Sequence, residues 1–306
     1  MNAKKQAASA ATSIAPEIKA GQSIKLLKEL HILTREGKLN QDSRRKLKQV
    51  YHLYHFIEKL LDELHKEREV PDGQVQPKKS PSITLADHGA GKSYLGFILY
   101  DLFFKTLQSG HIYGIETRPE LVQKSRELAQ RLGFERMSFL NLSVQESAQS
   151  AELPERIDVV TALHACDTAT DDAIAFGLQK QARFMVLVPC CQAEVARVLS
   201  ASKALSLSRT PLAELWRHPL HTREMGSQIT NVLRCLYLEA WDYQVTVTEL
   251  VGWEHSMKNE LIIARHMGRN DEPKKRAAAA RLKAILEEFG LKDLLATRFR
   301  LPETHS

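Results

Sequence analysis

From residue 82 onward, short runs of apolar, often β-branched residues alternate with longer stretches in which apolar residues recur every three or four positions. The first pattern is that of buried strands and the second that of amphipathic helices; their alternation is the signature of a doubly wound parallel sheet. Strands are predicted at 82–86, 111–116, 137–140, 157–163 and 184–188. The helix after the first starts near Lys92 and should bury Leu95, Ile98, Leu99, Leu102 and Phe103. The helix after the second is opened by Pro119, tolerated in a first turn, and closed by Gly133. Another lies at about 171–180. Further on, 243–251 alternates like a strand and 260–264 forms another, joined by a tight connection. Between the fifth strand and this pair lies a long section, 193–242, with a helix at 228–241, of the kind that shapes a substrate site.

The flanks have a different texture. Residues 1–21 are rich in Ala, Ser and Lys without apolar periodicity, which predicts a flexible tail. From Ser23 to about Glu69 apolar residues return at helical spacing, with Arg44, Arg45, Lys46, Lys48, Lys59, Lys66 and Arg68 between them. A linker follows, with turn formers from Val70 to Pro81. The expected organisation is a tail (1–21), a basic helical N-terminal region with its linker (22–79), an α/β domain (80–268) and a basic C-terminal helical extension (269–306) around Lys274, Lys275, Arg276, Arg281 and Lys283. No internal repeat is found.

Composition changes this picture only slightly. Of 306 residues 43% are hydrophobic, enough for a sizeable core. No apolar run reaches the roughly 18 residues of a membrane span, and residues 1–20 lack the apolar segment of a signal peptide, so a cytosolic location is expected. Four cysteines, Cys166, Cys190, Cys191 and Cys235, are too few and too unevenly spaced for a disulfide framework. The net charge of +6 gives a mild bias toward polyanions.

Candidate chemistry begins at the end of the first strand, in Asp87-His88-Gly89-Ala90-Gly91-Lys92-Ser93. In open α/β sheets ligands bind beyond the carboxyl ends of the strands, where glycines let the backbone approach them. In a methyltransferase reading, Gly89 and Gly91 would make room there for the methionine part of S-adenosylmethionine, and Asp87 would offer a carboxylate to its ammonium group or to a water. Glu116, ending the second strand, can accept both ribose hydroxyls, because a carboxylate is acceptor-only and takes two donors. A phosphate loop competes with this reading, since Gly91-Lys92-Ser93 ends like the pattern G-x-x-x-x-G-K-[ST]. Its first glycine, however, is replaced by Ala86, and Asp87 would face anionic phosphates. A structural glycine turn is the bland alternative. A dinucleotide fold fits less well, because Tyr94 takes the place of its third glycine.

Three further stretches are Ala162-Leu163-His164-Ala165-Cys166-Asp167-Thr168-Ala169-Thr170-Asp171, Val188-Pro189-Cys190-Cys191-Gln192, and Glu254-His255-Ser256-Met257-Lys258-Asn259. With the first loop, running on to Tyr94-Leu95, they resemble the methyltransferase family carrying D-x-G-x-G-K-x-[YF]-L, L-H-A-C-G-x-x-[ST]-D, P-C-C and H-[ST]-x-K-N blocks. That family is similar to eukaryotic tRNA ribose methyltransferases. The resemblance covers about 82–266 and implies a Rossmann-like class I methyltransferase sheet, its last strand inserted antiparallel. It also implies an S-adenosylmethionine cofactor and an RNA partner, tRNA or rRNA. The expected cofactor set is Asp87, Gly89, Gly91, Lys92, Tyr94, Glu116, Asn141 and His164. Two positions depart from the family: its glycine after L-H-A-C is Asp167, and Gln192 follows the paired cysteines.

His164, Cys190, Cys191, His255 and Lys258 are the catalytic candidates. Cytosine C5 methylation needs a thiolate that adds to the ring, for which Cys190 or Cys191 would serve. Ribose or base-nitrogen methylation needs His164, His255 or Lys258 to orient the acceptor and handle charge. Cys166, Cys190 and Cys191 with a histidine could hold zinc, although adjacent cysteines chelate one ion poorly. As structural groups, these thiols are small buried hydrophobes at strand ends. His218, His221 and Arg223 in the long insertion are candidate pocket residues, with a surface role as the alternative. Protein or small-molecule methylation is the alternative to RNA.

Overall fold

The computed structural model describes residues 17–68, 82–163, 167–189, 193–201, 211–250 and 260–302. Seven strands form one sheet in the order β3-β2-β1-β4-β5-β7-β6, the Rossmann-like class I methyltransferase arrangement expected above. The chain divides into two compact units, Met1–Pro154 with Leu250–Met257, and Glu155–Glu249 with Lys258–Ser306.

In the first unit, β1 (Thr84–His88), β2 (His111–Glu116) and β3 (Met137–Asn141) are parallel, with Asp87 opposite Gly114 and Glu116 opposite Asn141. This register brings the carboxyl ends of the three strands level, where a ligand site belongs. Helices α1 (Ile24–Glu29) and α2 (Gln41–Arg68) precede the sheet. Helix α2 buries Leu47, Leu53, Tyr54, Ile57, Leu60, Leu61 and Leu64 along one face and packs against α3 (Tyr94–Leu99), the helix leaving the glycine loop. The Ser23 amide donates to the Asp101 carboxylate at 2.6 Å, fastening the start of α1 to this core.

After α3 the chain runs through a π turn at Tyr100–Phe104. A π turn inserts an extra residue into the helical ladder and rotates the following side chains. The predicted face holds at Leu95, Ile98 and Leu99, but then shifts by one residue: Phe104 is wholly buried, whereas Leu102 and Phe103 are half-buried. Helix α4 (Pro119–Leu132) starts at its proline and ends at Gly133 with φ +67°, as its sequence predicts. Helix α5 (Val144–Gln149) carries a capping box between Ser143 and Glu146.

In the second unit, β4 (Val159–Leu163) and β5 (Phe184–Val188) are parallel, and α6 (Ala169–Gln179) connects them. Strand β7 (Glu260–His266) runs antiparallel to both β5 and β6 (Tyr243–Glu249). The tight connection expected between the last two strands falls at 251–259, outside the described residues.

The insertion after β5 contains α7 (Glu194–Ala201), a 3₁₀ segment (Pro211–Trp216) and α8 (Pro219–Ala240). Helix α8 begins nine residues before its predicted start, because Pro219 opens it at a first-turn position. A Cβ on Gly226 would lie 2.8 Å from the Ala196 backbone, so α7 and α8 meet backbone to backbone at this glycine. The chain ends in α9 (Glu272–Glu288) and α10 (Asp293–Thr297). Among the described residues, no helix is long and apolar enough to cross a membrane.

Candidate functional site

The site is built where β1 gives way to α3. Asp87 and His88 are the last residues of β1, and both are buried. Gly89 and Gly91 follow with φ of +67° and +58°, a left-handed backbone that L side chains avoid and glycine adopts freely. No atom lies within 4 Å of where a Cβ on Gly89 would sit, so space remains above this turn. The Ala90 amide donates to the Ile115 carbonyl at 3.0 Å, tying the loop to β2.

Glu116 ends β2 on the other side of this space, and four N–H donors converge on it. The Gly91 amide (2.8 Å) and Arg118 Nη2 (3.0 Å) donate to Oε2, while Arg118 Nε (3.0 Å) and the Arg118 amide (3.1 Å) donate to Oε1. Burial pushes the Glu116 carboxyl up, but these donors and the guanidinium charge outweigh it and hold the group at about 2. Burial pushes the His88 imidazole down to about 4, against the attraction of Glu116, so it is neutral at pH 7.

Asn141, at the end of β3, donates from Nδ2 to the carbonyls of Glu116 (3.0 Å) and Thr117 (2.9 Å), fixing the backbone that presents the acid. Lys92 is exposed and Tyr94 half-buried. Both line a groove of about 340 Å³ with His31, Leu121 and Lys124, which neither Asp87 nor Glu116 borders. Sequence reasoning missed Arg118, because one exposed cation before a proline looks like any other surface charge.

These contacts bear on the phosphate-loop alternative. A triphosphate would need the loop amides, yet the Gly91 amide is engaged by an ionised carboxylate that would repel phosphate oxygens. An acceptor-only, buried acid beside an open glycine turn instead fits a ligand with paired hydroxyl donors. S-adenosylmethionine is such a ligand through its ribose. Arg118, more than half exposed along its side chain, must share Glu116 or swing away when those hydroxyls dock.

The catalytic candidates His164, Cys190, Cys191, His255 and Lys258 lie outside the described residues, as does Cys166. The described residues of the second unit hold a buried polar cluster. Arg234 of α8, fully buried, donates Nε and Nη2 to the two carboxylate oxygens of Asp171 at 2.7 and 2.8 Å, Nη1 to Asn231 Oδ1 at 3.1 Å and Nη2 to the Asp167 carbonyl at 2.8 Å. Asn231 in turn donates to Glu260 at 2.6 Å. Each member of such a network needs its partners, since a buried charge left alone is costly. The sequence carried a signal for it: an arginine amid Ile229, Leu233, Leu236 and Tyr237 on an apolar helix requires a buried acid.

Cys235 is half-buried, and its thiol is pushed up to about 12, first by burial and then by Glu260 and Glu239. It is no thiolate at neutral pH. His218, the residue that precedes α8, and His221 and Arg223 on its first turns are exposed. Among the described residues, no group of three His, Cys, Asp or Glu side chains is placed to hold a metal ion.

No curated protein matches the sequence. The structure is similar to the fibrillarin pre-rRNA processing protein of Methanococcus jannaschii, at 14% identity and TM-score 0.40, covering 64% of this chain and 71% of that one. It is also similar to magnesium protoporphyrin IX methyltransferase from Synechocystis PCC 6803, at 12% identity and TM-score 0.43, covering 79% and 95%. A third is an O-methyltransferase fold from Klebsiella pneumoniae, at 11% identity and TM-score 0.43, covering 86% and 98%. At these scores the likenesses carry no argument about substrate. Residues 45–198, just over half of the chain, match the family model described as a methyltransferase domain, and the chain therefore belongs to that methyltransferase family, with S-adenosylmethionine as its methyl donor.

Proposed function

We propose that the protein methylates RNA, a tRNA or an rRNA, holding its cofactor between the glycine turn and Glu116. The observation that carries the RNA reading is the outer face of α2. Arg45, Lys48, His52, His55, Lys59 and Lys66 recur on it at three- and four-residue spacing, all exposed, with Asp62 the one acid in the row. Such spacing puts the side chains on one stripe of the helix. At 1.5 Å per residue, that row extends for about 30 Å, a length suited to several successive phosphates. Helix α9 is as basic in sequence, but Lys274, Lys275 and Arg281 pair with Asp271, Glu272 and Glu239 at 3.1, 2.6 and 2.9 Å. Acids also meet the α2 row, Asp42 at 3.8 Å from Arg45 and Glu58 at 3.9 Å from His55, but these pairs are longer than those of α9, which favours α2 as the RNA-facing element.

In this reading Glu116 takes the ribose hydroxyls, the Gly89–Gly91 turn lies against the methionine part, and Asp87 stands near its ammonium group. Asn141 keeps the Glu116 backbone in place. Lys92 and Tyr94 flank the turn, and His164 belongs to the same set. S-adenosylmethionine supplies an electrophilic methyl group on a sulfonium. The chain's task is to bring the acceptor into line and to manage its proton, which positioning accomplishes for a downhill transfer. His164, His255 and Lys258 are the groups proposed to orient the acceptor and take up charge. Cys190 and Cys191 are the groups proposed for covalent attack, should the acceptor be a cytosine carbon.

The test is nucleoside mass spectrometry on RNA from cells with and without the gene. One methylated nucleoside should disappear. An unchanged RNA profile contradicts the proposal and points to a protein or small-molecule acceptor. If that nucleoside is 5-methylcytosine, either Cys190→Ala or Cys191→Ala abolishes it, whereas activity in both variants excludes the covalent route.

A further inference from the structure

Asp167 stands where the resembled family has glycine, and its backbone shows why glycine is the ordinary choice: φ is +51°. Aspartate tolerates this left-handed conformation better than most residues, yet still at a cost relative to glycine. Its side chain is put to use across the sequence gap to α7. Oδ1 accepts the amides of Ala193 (2.9 Å) and Glu194 (3.0 Å), and Oδ2 meets Arg197 Nη2 at 3.0 Å. Amides at the start of a helix have no partner within it, so this carboxylate caps α7 from another segment of the chain. The main chain of Asp167 is held independently, its carbonyl accepting Nη2 of the buried Arg234 at 2.8 Å, which is itself forked onto Asp171 of α6.

One residue is thus fastened on its carbonyl side to α8 and α6 and on its carboxylate side to α7. Asp167 directly follows His164, Ala165 and Cys166 in the chain, and Ala193 directly follows Cys190, Cys191 and Gln192. We infer that Asp167 is a positioning residue, fixing the chain that leaves β4 against the chain that leaves β5 through its Oδ1 contacts with α7. It touches no reacting atom in this role. Its contribution is to tie residue 167, after β4, to residues 193 and 194, after β5, a fixed support of the kind that a methyl transfer depending on alignment requires. This inference rests on family membership and on these contacts, and is independent of whether the acceptor is RNA.

The experiment uses the full chain with Asp167→Gly and Asp167→Asn. Hydrogen exchange is followed at the amides of Ala193 and Glu194, and labelling by 5,5′-dithiobis(2-nitrobenzoate) is followed at Cys190, Cys191 and Cys235 by peptide mass spectrometry. Glycine removes the acceptor but relieves the left-handed backbone, so the melting temperature should stay near that of the wild type. The two amides should exchange about tenfold faster, the loss of one good hydrogen bond. Labelling of Cys190 and Cys191 should change several-fold while Cys235 keeps its slow rate, since the change is local. Asparagine retains an Oδ1 acceptor and tolerates positive φ, and should restore both rates despite losing the Arg197 ion pair. Unchanged exchange and labelling in Asp167→Gly would overturn the inference, as would Asp167→Asn behaving like Asp167→Gly. If Asp167→Gly fails to fold, the Asn variant and Arg197→Ala decide: both should keep wild-type amide exchange, and acceleration in Asp167→Asn would overturn it.

Discussion

Glu116 and Arg118 already form a closed pair, and that pair sets how the cofactor must enter. Ribose hydroxyls need the same carboxylate oxygens that three Arg118 donors hold at 3.0 to 3.1 Å. Opening the pair takes part of the binding energy, so Arg118→Ala should tighten S-adenosylhomocysteine binding by about three- to tenfold in calorimetry; weaker binding would mean that Arg118 itself contacts the ligand. His88 makes a second prediction at this scale. An unfolded chain protonates it below its ordinary 6.5, whereas the buried ring stays neutral down to about 4. The unfolded state therefore binds the extra proton, and stability falls as pH drops through that window. Urea unfolding of His88→Asn should lose less stability between pH 6.5 and 4 than the wild type; equal losses would mean another group controls the acid limb. Glu116 acts lower, with stability lost as pH falls from about 4.5 toward 2. The glycine turn and the strand-end acid were legible in the sequence, because spacing and residue type carry their chemistry. Arg118 and the capping use of Asp167 were not, since both depend on contacts made only after folding.

At the scale of elements, strands and proline- or glycine-bounded helices were readable and irregular ones were not. Strand β2 and strand β5 coincide with their predicted bounds, and α4 runs between its proline and its glycine. Periodicity failed inside the helix after the glycine turn, because a strict 3.6-residue repeat cannot represent the π turn at Tyr100–Phe104. The side chain it turns inward is Phe104, which makes an edge-on contact with Phe103 at 5.5 Å between centroids. Phe104→Ala should therefore cost about 3 to 5 kcal/mol in chemical denaturation, and Phe103→Ala clearly less. The reverse ranking would restore the regular helical face. Helix α8 was shortened in the prediction for a related reason: its start exposes His218, Leu220 and His221, which hid the periodicity that starts at Thr222.

Over the whole molecule, the +6 charge is distributed unequally in effect rather than in number. Three cations of α9 sit within 3.1 Å of acids, while the exposed α2 stripe meets Asp42 and Glu58 only at 3.8 and 3.9 Å. Replacing Lys48, Lys59 and Lys66 together with alanine should weaken binding to a tRNA probe and lower the salt slope of log K by about 2 to 3, at roughly 0.7 to 0.9 per phosphate contact. Alanines at Lys274 and Lys275 should leave both nearly unchanged, and the opposite pattern would move the proposed RNA surface to α9. The sheet type, with its antiparallel last strand, was legible because alternating strands and helices admit few topologies. The substrate was not, because acceptor recognition lies in side chains whose arrangement no periodicity encodes.

The central claim is that the turn from Asp87 to Ser93 and Glu116 make a methyl-donor site rather than a phosphate loop. Isothermal titration of the full chain with S-adenosylhomocysteine, and separately with ATP and magnesium, tests it most directly. The account predicts binding of S-adenosylhomocysteine that weakens by about tenfold or more in Glu116→Gln, the loss of a hydrogen-bonded charge, and no heat from ATP. ATP binding with none of S-adenosylhomocysteine would contradict it.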